Sequence, residues 1–94
     1  MAKDKRYKTV KNLIESGHIV RFMEILDVVP KTTVANDLGM HHDTFGGLII
    51  DAEKFTFKQS FSIALLIEVD AKIIVDLIYA QCIENKRSKN VEIS

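Results

Sequence analysis

An all-α fold, a small helical bundle, is what this sequence predicts, and three observations predict it. Apolar residues recur mostly at spacings of three and four, the helical period, and alternating patterns are almost absent. One proline and four glycines interrupt 94 residues. Hydrophobic residues make up 47% of the chain, enough for one core without metal or disulfide staples, so residues 1–94 are expected to form a single domain.

The elements follow in order. Tyr7, Val10, Leu13 and Ile14 form the stripe of a first helix, Lys5 to Ser16, with Gly17 as a left-handed stop. Ile19, Phe22, Met23, Leu26 and Val29 mark a second helix, which Pro30 ends. A third helix of about two turns directs Val34, Ala35 and Leu38 inward and stops at Gly39, which permits a tight turn. The fourth starts at His42 or Asp43 and sets Phe45, Leu48 and Ile49 on one side. Residues 51–55 read as a polar loop. Thr56 and Gln59 have capping-box spacing, so a fifth helix runs from Phe57 to about Ile67. Asp70 then caps a sixth helix from Ala71 to about Asn85. Residues 1–17 thus form an added N-terminal helix, residues 18–85 the core, and residues 86–94 a disordered tail.

Net charge is zero, which does not favour nucleic acid, but the distribution is uneven. Lys3, Lys5, Arg6, Lys8 and Lys11 face only Asp4 in the first twelve residues. Such basic ends are either solubilising and frayed or phosphate-seeking. The lone Cys82 has no internal disulfide partner and reads as a small buried apolar residue. The longest apolar run, Ile63 to Ile67, falls far short of the ~20 residues of a membrane span. No apolar leader opens the chain, so a cytoplasmic protein without membrane contact is expected.

The stretch VANDLGMHHDTFGGL, Val34 to Leu48, carries the strongest motif. Two short helices joined by a glycine turn, the second offering its N-terminal end outward, are what a major-groove reader requires. With Lys31 as position 1, Val34, Ala35, Leu38, Gly39, Met40, Phe45 and Leu48 fall at positions 4, 5, 8, 9, 10, 15 and 18. Ala35 must be small where the second helix crosses, Gly39 must turn, and the others seal the pair onto the domain. In these residues the sequence resembles the lambda-repressor-like, or XRE-type, helix-turn-helix family. TFKQSFSIALLIEVD is similar to that family's fourth helix through Thr56, Phe57, Ile63, Ala64, Ile67 and Val69, with Glu68 in place of the usual glycine. The likeness spans roughly residues 18 to 78 and leaves the first helix outside it.

The resemblance implies sequence-specific binding of double-stranded DNA, commonly as a homodimer, in transcriptional control in bacteria, phages or mobile elements. The residues it places toward DNA are Lys31, Thr32, Thr33, His41, His42, Asp43, Thr44, Gly46 and Gly47. Lys31 stands where the family has a phosphate-binding Gln. Direct readout normally uses Arg, Lys, Asn or Gln, and residues 41–47 contain none, so weak base discrimination is expected. Glycines 46 and 47 either let DNA or another helix approach closely, or mark a surface that now meets a protein. A protein-interaction module on a degenerate helix-turn-helix fold is therefore the alternative. His41, His42 and Asp43 read as a turn and cap, since neighbours on a turn are not expected to converge on an ion; no metal or cofactor is expected. No nucleophile and base, phosphate loop or paired acids appear at recognisable spacing, so no enzyme is expected. The apolar arc of the sixth helix spans roughly 240° at 100° per residue. Ile74, Leu77 and Ile78 complete the domain's core, which leaves Val75, Tyr79 and Cys82 either to a symmetry mate or to cover by the first helix.

Overall fold

The computed structural model describes residues 4–93, with side chains to Arg87. Lys3 of the basic run, Ser94 and the side chains of Lys89 and Glu92 lie outside the described residues. Five α-helices and two 3-10 segments make up the fold, and no strand occurs among the described residues. They are α1 (Arg6–Glu15), a 3-10 helix (Phe22–Asp27), α2 (Lys31–Asp37), α3 (His42–Ile50), a 3-10 turn (Ala52–Lys54), α4 (Phe57–Ile67) and α5 (Ala71–Ile93). The chain is an all-α bundle with an added N-terminal helix. Among the described residues no helix is long and apolar enough to cross a membrane.

The added helix is neither frayed nor a loose arm. Tyr7 and Val10 are buried, α1 packs on α4, and the Tyr7 hydroxyl donates to Asp37 Oδ2 of α2 at 2.6 Å. Burial and the neighbouring carboxylate push the Tyr7 phenol well above its usual range. Gly17 ends the helix at φ 82°, and the amides of His18 and Ile19 return to the Leu13 carbonyl.

The second element departs from the α-helix expected over Ile19 to Val29. It is a 3-10 helix of six residues, and Ile19, Phe22 and Ile25 are buried while Met23 is exposed. Side chains at i and i+3 eclipse in a 3-10 helix, so a spacing of three alone lines one face. Its start is fixed by Glu24, whose Oε1 accepts from the Val20 and Arg21 amides at 2.7 and 3.0 Å. Those amides hold the Glu24 carboxyl below its ordinary value.

Phe22, Phe45 and Phe55 meet edge to face at the centre, with ring centroids 5.0 to 6.3 Å apart. This trio binds the 3-10 helix, α3 and the approach to α4 into one core. Thr56 and Gln59 form the expected capping box, the Gln59 amide donating to Thr56 Oγ1 at 3.1 Å and the Thr56 amide to Gln59 Oε1 at 2.9 Å. Within residues 51–55, expected to be a polar loop, Ala52–Lys54 form a 3-10 turn and Ala52 is buried.

α5 corrects the expected tail, because the helix passes Asn85 and continues to Ile93. No proline or glycine occurs after Gly47, so nothing in residues 86–93 breaks the backbone ladder. On its inner side Ile74, Leu77 and Ile78 join the core as expected.

Candidate nucleic-acid interface

α2 and α3 pack against each other, and Ala35, the small residue expected at their crossing, is 1% exposed. Gly39 ends α2 at φ 71°, and the Met40 amide closes the turn onto the Ala35 carbonyl at 2.9 Å. Phe45, Leu48 and Ile49 are buried and anchor one side of α3. The other side is open, with His42, Asp43, Thr44 and Gly47 exposed. Lys31 and Thr32 at the head of α2 are exposed, and Thr33 is half-buried. The turn thus brings the head of α2 and the amino-terminal half of α3 to one exposed edge.

His41 caps α3, its Nδ1 accepting the Asp43 amide at 3.2 Å, in the role that Ser, Thr, Asp or Asn usually fills. The expectation that His41, His42 and Asp43 do not converge is corrected. Their ligand atoms lie within 4.8 Å of one another, the two imidazoles stack at 4.5 Å, and His42 Nε2 is 3.2 Å from Asp43 Oδ1. Convergence comes from the extended backbone of His41, ψ 142°, which swings its ring back over the first helical turn. The geometry is still that of a cap. His41 Nδ1 has its lone pair committed to an amide, and the positive end of the α3 dipole disfavours a cation. Asp43 sits at the positive end of that dipole, which lessens its repulsion toward phosphate.

The glycine pair divides. A Cβ on Gly47 would meet nothing within 4 Å, whereas a Cβ on Gly46 would lie 3.3 Å from Lys31 Nζ. Sequence reasoning missed Ile50, which is 75% exposed. Asp43, Gly47 and Ile50 recur at four and three, so the helical period that assigned Leu48 and Ile49 to the core also places Ile50 outside it.

The residues expected at a dimer interface differ in exposure. Tyr79 is exposed, but Val75 and Cys82 are half-buried, and Cys82 borders a small cavity shared with Ile50, Ala52 and Asn85 of its own chain. Burial and the nearby Glu53 carboxylate raise the Cys82 thiol. The first helix packs on α4, and its Ile14 and Glu15 border a cleft with Ile73, Asp76 and Leu77 of α5. A stripe that sequence reasoning passed over runs along α4, where Phe57, Phe61 and Leu65 are 70%, 54% and 75% exposed. Their spacing of four was legible, but Phe57 was read only as part of a helix start.

Lys5, Lys8 and Lys11 line a cleft of about 500 Å³ between α1 and the end of α4, together with Asp4, Glu15 and Glu68. Acids within the same cleft offset this basic row. Compared with protein-family models, with curated proteins and with solved structures, the chain matches none.

Proposed function

We propose that this chain is a small helix-turn-helix protein that binds double-stranded DNA through the edge formed by α2 and α3, in transcriptional control. The observation that carries the reading is the α2–Gly39–α3 unit, its two helices packed together with Ala35 buried and the amino-terminal half of α3 open. Thr32, Thr44 and the capped start of α3 offer phosphate contacts, Lys31 brings an ammonium to the same edge, and a helix N-terminus favours an anion there. Homodimerisation, with Tyr79 as the exposed member of the expected interface, belongs to the same proposal.

The test is titration of labelled random duplex by the full chain across a range of salt concentrations. Log affinity should fall linearly with log salt, and the slope should flatten by about one unit for each phosphate-contacting lysine replaced by Gln. Point substitutions serve this test, because Tyr7 and Val10 of the basic N-terminal helix belong to the core. Failure to retain any duplex at low salt rejects the DNA reading.

The alternative, a protein-interaction module on this fold, draws on the α4 stripe of Phe57, Phe61 and Leu65. Exposed apolar residues in a contiguous row mark interaction surfaces on soluble domains. Light scattering on a size-exclusion column, with Phe61→Glu beside Tyr79→Glu, tells self-association through α4 from self-association through α5.

A further inference from the structure

Gly46 is the position on α3 where the absence of a side chain has a visible use. A Cβ there would stand 3.3 Å from Lys31 Nζ and 3.9 Å from both Lys31 Cδ and Cε, so the end of the Lys31 side chain lies across α3 at this glycine. Lys31 is the first residue of α2, fifteen positions earlier in the chain. Among the described residues no ion pair involves its ammonium. On the open side of α3, His42 and Thr44 carry side-chain donors in its first turn, whereas Gly46, Gly47 and Ile50 further along the helix carry none.

We infer that Lys31 is the base-reading residue of this interface and that Gly46 is its seat; this rests on the DNA-binding reading above. A lysine that only neutralised a phosphate would need no seat, since it reaches the backbone from the head of α2 through solvent. Laid across Gly46, the ammonium travels with α3 into the major groove and arrives where a recognition-helix side chain would otherwise stand. Its donors match guanine, which offers two acceptors there, O6 and N7. Adenine presents an acceptor beside a donor, which an ammonium cannot satisfy twice. Gly47, with open space around it, leaves the helix backbone clear to approach the groove, and Ile50 is placed for apolar contact such as a thymine methyl.

The experiment is selection of bound fragments from a random duplex pool by the full chain, beside Lys31→Gln, Lys31→Met and Gly46→Val, each checked for folding by circular dichroism. The wild type should enrich guanine at one position of each half-site by about tenfold or more. Lys31→Gln should move that preference to adenine, whose N6 and N7 suit an amide, and Lys31→Met should erase it while flanking preferences persist. Gly46→Val should erase it too although the lysine is intact, because the seat is filled; Gly46→Ala, the milder change, should weaken it. If the Lys31 variants instead lower affinity equally for every fragment and flatten the salt slope by about one unit, Lys31 is a phosphate ligand and the inference is overturned. If the wild type retains no fragment at low salt, the DNA reading fails and takes this inference with it.

Discussion

Glu68 adopts φ 66° and ψ 48° at the end of α4, a left-handed conformation that costs a residue with a Cβ about 1–2 kcal/mol. The other two positive-φ positions among the described residues, Gly17 and Gly39, are glycines. Glu68→Gly should therefore stabilise the fold by about 0.5–1 kcal/mol after the greater freedom of glycine in the unfolded chain is allowed for, and Glu68→Val should destabilise it, both read from urea unfolding. At Gly47 the backbone is helical and a Cβ has open space, so Gly47→Ala should raise stability by about 1 kcal/mol in the same assay. Tyr7 carries a pH dependence. Its folded pKa is raised, so the fold favours the neutral phenol. That stabilisation is complete below the unfolded value of about 10 and is lost as pH rises above it. Tyr7→Phe should cost about 1–2 kcal/mol at pH 7 through loss of the bond to Asp37, and the gap from wild type should narrow by pH 11.

Among the elements, α2 and α3 depend on Ala35, and Ala35→Leu should cost about 1–3 kcal/mol by wedging them apart. An unchanged melting temperature would mean the helices do not cross there. The Gly39 turn and the burial of Ala35 were legible because the motif needs one small residue and one turn glycine at fixed spacing, as was the Thr56/Gln59 cap. The 3-10 helix was not, since the spacings of three, Ile19 to Phe22 and Met23 to Leu26 to Val29, suit an α-helical stripe as well as a 3-10 one. What separates them is Glu24 folding back on the Val20 and Arg21 amides, which the apolar pattern does not record. At the candidate site the exposed positions of α3 were legible from its period. The Lys31–Gly46 approach was not, because it depends on how α2 lies over α3. The convergence of His41, His42 and Asp43 depends on one backbone angle of His41 that residue type does not dictate.

For the whole molecule, three distant parts are joined by a row of amides. The Met23 amide donates to Gln81 Oε1 at 3.0 Å, Gln81 Nε2 donates to Asn85 Oδ1 at 3.0 Å, and Asn85 Nδ2 donates to the Ile50 carbonyl at 3.3 Å. Gln81 is 4% exposed, so α5 is tied on one side to the 3-10 helix and on the other to the last residue of α3. The row has a sense of direction. It begins at a backbone group that can only give a proton and ends at one that can only receive, and neither can exchange roles. Gln81→Glu keeps the shape and the acceptor for Met23 but cannot donate onward as a carboxylate. Asn85 must then rotate to offer its own N–H, and Ile50 loses its donor. That substitution should cost about 2–3 kcal/mol by urea unfolding, more than the loss of a single neutral hydrogen bond, because it also buries a charge. The two sides of α5 are thus told apart by polarity as well as by shape, and a helix rotated out of this setting finds acceptor facing acceptor.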